Sequence, residues 1–343
     1  MTRTGAARTR PAARRAAGLV AALAATLAMG GCGVTDAVVG IHAAPAEDRS
    51  VAAVDQDNAQ RIAARVLGAA QSAQAKTGTD AATALEAALT GAALAVGQAA
   101  VATHSASATA PDPLTNPGAP KVLAVSQGRT WPRAILAATL DETANRQYLH
   151  VLVSSSPTDP FRLAYTVPMH AGASIPSLGT LADGAPLVPA SDATGLVAAP
   201  QDLLAEYAGA LAYPKAQSAP TIPPTDPFAR SLLANAQSQT ASLGKLGSLA
   251  EKQSVVADDT ISFRLADGGA VTFGLLKRVD TITLAKSAKE LKLPSAYARL
   301  SGKKTVTKSV TVVSLEPVVL VIPTSGTATA VGGDEQLVSV AGH

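Results

Sequence analysis

The chain has 343 residues, with 28 Lys and Arg against 25 Asp and Glu, an aromatic share of 3% and a single cysteine. One cysteine excludes an intramolecular disulfide, so stability has to come from packing. The net charge of +3 is an N-terminal property: residues 1–31 hold five arginines and no acid, and the other 312 residues carry 23 basic against 25 acidic groups, which together with the scarcity of aromatic platforms argues against a nucleic-acid binder.

The five arginines (Arg3, Arg8, Arg10, Arg14, Arg15) precede a fourteen-residue apolar run, 16–29. A helix that crosses a bilayer needs about 20 apolar residues, so this pattern reads as a cleaved export signal. Arg14 and Arg15 lack the flanking pattern of a twin-arginine signal. In "LAATLAMGGCG" the small residues Gly30 and Gly31 lead directly into Cys32, and the stretch resembles the lipobox of bacterial lipoproteins, with Met29 where that family usually has Leu. The resemblance implies a diacylglycerol on Cys32, cleavage after residue 31, and a mature protein held at the extracytoplasmic face of the cell membrane. Two acyl chains hold stably where one holds only marginally.

Residues 32–50 read as a lipidated tether. Val51 to Ala75 then has Val54, Ile62, Val66, Leu67 and Ala70 near one helical face. A second helical stretch starts at Asp80 and runs to Thr103, with Gly91 and Gly97 suggesting a break. The segment "SASATAPDPLTNPGAP", 105–120, is a Pro-punctuated loop. Strands are expected at 121–126, 133–141, 148–154 and 161–168, closely spaced and therefore antiparallel. The third of these strands is partly apolar on both faces.

Gly, Pro, Ser and Ala dominate 171–199, and the plan then repeats. Helices are expected at Gln201–Tyr213 and Phe228–Lys252, and strands at 259–266, 270–277, 279–285, 305–315, 317–323 and 335–341. Asp267, Gly268 and Gly269 form a hairpin-turn signal. "TDPF" occurs at 158–161 and 225–228, once before a strand and once before a helix, and reads as turn chemistry.

The fold class is therefore α+β, with two consecutive domains, each of helices packed on a curved antiparallel sheet: residues 51–185 and 200–343, joined by a linker at 186–199. This order resembles a tandem of nuclear-transport-factor-2-like or cystatin-like domains. With the signal and the segments "TWPRAILAATL" and "VLVSSSPTDPFRLAYTVP", it is similar to a group of actinobacterial exported lipoproteins. The resemblance carries over no catalytic residues, and that broader fold hosts both enzymes and non-catalytic binders.

No metal or cofactor is expected, because His42, His104, His150, His170 and His343 show no metal-ligand spacing with one another or with Cys32. No G-x-S-x-G or phosphate-loop pattern occurs. The best acid-base constellation is His150 with Arg133 and Tyr165 on neighbouring strands, lining a cone-shaped pocket, with Asp141 as orienting group; the plainer reading is a satisfied or exposed strand histidine. Residues 277–308 hold nine basic side chains (Lys277, Arg278, Lys286, Lys289, Lys292, Arg299, Lys303, Lys304, Lys308) against Asp280 and Glu290. On a tethered protein such a stretch would face anionic headgroups or wall polymers, and otherwise it is a solvated face. The expectation is a membrane-anchored binding or scaffolding module of the cell envelope, meeting an envelope protein or ligand and no nucleic acid. An envelope enzyme using the His150 pocket is the rival, and a structural partner of another envelope protein the third reading.

Overall fold

A computed structural model describes residues 51–76, 80–104, 118–215 and 218–343. The expected signal, Cys32 and the tether to residue 50 lie outside the described residues, as does His42. The described residues fall in one compact unit, and every apolar cluster among them lies inside it, so the segment that holds them contains the whole of each of these cores.

The first half begins with three helices. α1 (Gln56–Gln74) is capped by Asp55, whose carboxylate accepts from the Asn58 N–H at 2.9 Å, and buries Ala63, Val66, Leu67 and Ala70. The expected break in the second helical stretch falls at Leu89–Thr90, giving α2 (Asp80–Ala88) and α3 (Gly91–His104), and Gly97 continues the helix. The sheet that follows is a meander of β1 (Lys121–Val125), β2 (Arg133–Asp141), β3 (Arg146–Ser154) and β4 (Arg162–Pro168), all neighbours antiparallel.

The second half repeats helices then sheet. α4 (Pro200–Leu211) and α5 (Pro227–Leu243) precede β5 (Gly247–Val255), β6 (Ile261–Arg264), β7 (Ala270–Leu284), the short pair β8 (Leu291–Lys292) and β9 (Thr305–Val306) with α6 (Ser295–Ser301) between them, then β10 (Ser309–Ile322), β11 (Thr329–Gly333) and β12 (Gln336–Gly342). β7 and β10 run side by side along their lengths, with β5 and β6 on the outer side of β7 and β11 and β12 on that of β10. The α+β class, with helices on open antiparallel sheets in both halves, is as expected.

Several elements differ from the sequence reading, which does not foresee α6, β8 or β11. The helix expected to reach Lys252 ends at Leu243. Leu243, Leu246 and Leu249 keep a helical spacing, but Gly244 takes φ +50°, which L side chains rarely adopt, and Leu249 lies in β5 opposite Ile282. The strands expected to break at 278 and at 316 are continuous. Arg278 stays inside β7 because its charge is matched by buried carboxylates, and Pro317 stays inside β10 because it sits where pairing changes from β12 to β11. The Pro317 carbonyl accepts from Asp334 N–H at that junction, so the ring nitrogen, facing the same side, interrupts no ladder.

Alternation then sorts the side chains. Ile135, Ala137, Leu152 and Leu163 face α1, α2 and α3. Leu136, Leu149, Val151 and Tyr165 face the other way, onto Phe263, Val271, Phe273 and Val319 of the second sheet. The Tyr165 and Phe273 rings stand 5.7 Å apart at 49°. On the far side of the second sheet Leu276, Val318, Leu320 and Ile322 meet Leu203, Leu204, Tyr207 and Leu211 of α4. The order of layers is helices, sheet, sheet, helices. The segment expected as a linker, with Ala185 just before it, stitches the sheets together: Ser126 bridges to Ala185, Leu187 bridges to Phe263, and the Val188 N–H bonds to the Ser262 carbonyl at 2.9 Å.

The helical layer reaches the second sheet closely only because position 274 lacks a side chain: a Cβ there would stand 2.5 Å from Leu204 Cδ2. Gly274→Ala is expected to destabilise the fold by about 1–3 kcal/mol through overpacking. Leu204→Ala alone opens a cavity, and the double variant should lose less than the sum of the two. Urea denaturation of the three variants checks this, with strict additivity as the contrary result.

Candidate functional site

The structure separates the three residues expected to line a pocket. His150 is 0% exposed, its Nε2 hydrogen-bonded with the Thr139 hydroxyl at 2.8 Å and its Nδ1 with the Thr166 hydroxyl at 3.1 Å. Burial pushes its pKa down to about 3, so the ring is neutral. Tyr165 pairs with Val151 and points to the opposite face, where its hydroxyl donates to the Asp259 carbonyl. Arg133 lies at the other end of β2 with its guanidinium 4.2 Å from the centre of the Trp131 ring. Asp141 accepts from the N–H groups of Thr143 and Ala144, so it caps the β2–β3 turn and does not orient the imidazole. Of the two plainer readings of His150 the structure selects the satisfied one: the residue is buried, and two threonine hydroxyls on neighbouring strands satisfy it.

The basic stretch divides into three parts. Lys277 is exposed but sits within β7, seven residues before its end. Arg278 is buried and engaged with carboxylates, so it is not a surface contact. The other seven cations (Lys286, Lys289, Lys292, Arg299, Lys303, Lys304, Lys308) are all exposed, on a single excursion, 285–308, that leaves the sheet at Leu284 and rejoins it at Ser309. The Leu284 N–H bonds to the Lys308 carbonyl at 2.8 Å, and the Leu293 N–H to that of Lys304 at 2.9 Å. A small core of Leu293, Val306, Val310, Val312 and Val340 seats the excursion on the sheet, with its basic side chains outward and Glu290 as its sole acid.

A groove of about 450 Å³ separates this excursion from the last turns of α5. Ile282 and Val310 of the sheet form its floor, Leu291, Leu293, Pro294 and Tyr297 one wall, and Ser238, Gln239, Ser242 and Leu243 the other. Lys292 is the cation among the lining residues. Close by, the Ala285 N–H bonds to the carbonyl of Leu246, a leucine left 58% exposed.

One strand turn away, on the same face of the sheet, lies a buried ionic cluster that sequence reading missed. Arg278 Nη1 is 2.9 Å from Glu316 Oε1 and its Nε 3.0 Å from Asp280 Oδ1, and it also pairs with Glu335. Glu251 stands opposite Asp280 on β5, and Glu316 is 0% exposed. One guanidinium cannot balance three buried carboxylates, and Glu335 adds a fourth at the exposed edge of the cluster. Burial chiefly, with repulsion from Asp280, pushes Glu251 up to about 7; burial pushes Glu316 up to about 8 and Asp280 up to about 6 against the opposing pull of Arg278. Burial works against the Arg278 charge, but the surrounding carboxylates outweigh it and hold the guanidinium protonated. Tyr297 connects groove and cluster, its phenol pushed up by burial and by Glu335 and Asp280. The signal available beforehand was period-2: Arg278, Asp280 and Ile282 share one strand face, as do Glu316, Ser314, Val312 and Val310.

A second polar arrangement joins the end of the first sheet to α5. Asp226, the N-cap of α5, accepts from the Ala229 N–H at 3.0 Å and from the Tyr207 hydroxyl at 2.8 Å, and His170 Nε2 lies 3.4 Å from its Oδ1. Burial disfavours the Asp226 charge, but His170, the Ala229 amide and Tyr207 outweigh it and lower the pKa. The crevice over this pair holds about 270 Å³. The repeated "TDPF" read as turn chemistry is here a helix cap with two further partners. Among the described residues no three His, Cys, Asp or Glu side chains are grouped to hold a metal, and no helix is long and apolar enough to cross a membrane.

The model of a domain of unknown function, DUF8094, matches residues 50–342, and the chain belongs to that family. No curated protein and no solved structure matches it.

The ionic cluster makes stability depend on pH with a definite sign. Glu251 and Glu316 keep their protons to higher pH in the folded chain than in the unfolded one, whose carboxylates titrate near 4.5. Between there and about 8 the folded state binds more protons, so stability falls as pH rises. The melting temperature should drop from about pH 5 to about pH 8, and Glu316→Gln should flatten the drop; a rise over that range would mean that the folded carboxylates are ionised. Arg278→Met, which strands the carboxylates, should cost about 3–5 kcal/mol by denaturant titration.

Proposed function

We propose that this chain is an exported lipoprotein, held at the outer face of the cytoplasmic membrane by a diacylglycerol on Cys32, and that it works there as a non-catalytic binding module. The excursion 285–308 is its contact with anionic headgroups. The observation that carries this reading is the concentration of seven exposed cations and one acid on one excursion of a mature chain whose other residues carry 16 basic against 24 acidic groups. Near an anionic surface each such cation contributes at most about 1 kcal/mol, so the attraction is additive and sensitive to salt. A segment of 18 residues between Cys32 and residue 51 reaches at most about 60 Å, enough for this end of the molecule to meet the bilayer that anchors it. The helix-then-sheet order of each half supports the likeness to nuclear-transport-factor-2-like or cystatin-like domains. The buried, satisfied His150 gives an enzyme pocket at that position no support.

Two measurements test the reading separately. The intact mass of the mature N-terminal peptide from membranes should show a diacylated Cys32, absent in Cys32→Ala; an unmodified peptide starting elsewhere ends the anchoring part. The segment 47–343 should co-sediment with phosphatidylglycerol vesicles at low salt and be released at high salt, and the variant Lys286→Glu/Lys289→Glu/Lys304→Glu should bind at least about tenfold more weakly. Absence of binding at low salt ends the surface part.

A further inference from the structure

We infer that the groove between α5 and the excursion is a binding site for one acyl chain of an anionic lipid, with the headgroup at Lys292. The inference deepens the membrane-surface reading and rests on it for the source of the lipid. Its capacity, about 450 Å³, falls in the range of sites that enclose small molecules, about 300–1,000 Å³. The floor and one wall are hydrocarbon and the Tyr297 ring, which offers a chain dispersion contact and no hydrogen-bond demand along its length. Polar groups are confined to the rim: Ser238, Gln239 and Ser242 on the helix side, exposed to solvent, and Lys292 facing them.

Charge sets the orientation. Beyond Tyr297 stand Asp280 and Glu335 against the single Arg278, an environment that disfavours an anionic head. Six more cations of the excursion are exposed to solvent. An anionic amphiphile therefore lowers its energy with its tail on Ile282, Leu291 and the Tyr297 ring and its head at the basic rim. Leu246, the most exposed of the large exposed hydrophobics among the described residues, stands at the neck of the excursion, where it meets the hydrocarbon of a bilayer from which a chain is drawn.

The test uses a soluble fatty acid and no vesicles, so that it fails independently of surface binding. Residues 47–343 are titrated with cis-parinaric acid, whose fluorescence rises in an apolar site. Saturable one-to-one binding is expected, weakened at least about tenfold by Ser242→Trp and by Ser238→Phe. These rim substitutions fill the groove from exposed helix positions, and melting curves confirm that both variants fold. Dioctanoyl phosphatidylglycerol should displace the probe at lower concentration than dioctanoyl phosphatidylcholine, with the difference erased in Lys292→Gln. No saturable signal, or equal binding by both filled variants, overturns the site; equal displacement by the two lipids overturns the anionic head. Vesicle binding that survives in a protein without probe binding would leave the surface reading standing and remove this one.

Discussion

Strands that are apolar on both faces need two covers, and that requirement organises the whole fold. In β2 the side chains of Ile135 and Ala137 point one way and those of Ala134, Leu136 and Ala138 the other, all buried. In β7 Phe273 and Leu275 oppose Leu276, and in β10 Val319 opposes Val318 and Leu320. Each half supplies helices for one face only. The remaining faces cover each other, which places Tyr165 on Phe273 and turns two helix-and-sheet units into four layers with one shared central core. The contacts that lock this arrangement follow from it: residues 185 to 188 run between the edges of the two sheets, and Met169 bridges to Gly332 at the opposite side.

The sheets are unequal in length, and chemistry collects where they stop matching. β2 and β3 have 9 residues each, whereas β7 has 15 and β10 has 14. Along the outer face of the surplus, apolar residues give way to Arg278, Asp280 and Glu316, then return as Ile282 and Val310 under the excursion. A buried ion cluster of this composition is weak support for stability, since desolvation offsets much of its attraction. It does impose a proton inventory on the fold. The excursion beyond it carries the basic charge outward, so polarity reverses across a short distance around Tyr297.

Several features were legible from residue order because they are local. Helix–sheet–helix–sheet order, the β2 boundaries, the Asp267–Gly269 turn and the start of α5 follow from periodicity, turn chemistry and capping. Errors arose where two local rules disagreed. Leucines at 243, 246 and 249 satisfied a helical period that Gly244 broke, and a charge at 278 and a proline at 317 imitated strand ends although ladder partners on both sides continued. His150 was conspicuous as a residue type, yet Thr139 and Thr166, its actual partners, are 11 and 16 residues away.

By itself the sequence determined the α+β class and the concentration of cations between residues 286 and 308, because charge, hydrophobic period and turn residues act through neighbours along the chain; the anchoring proposed at Cys32 rests on residue order alone. Only the tertiary structure decided which cations remain in water, that Arg278 is enclosed by Glu316, Asp280 and Glu335, that His170 meets Asp226, and that α5 and the excursion leave a groove between them. Those relations depend on strand register and on which sheet face finds a cover. Register is set by pairing between segments dozens of residues apart, and a slip of one residue would send every one of these side chains to the other face.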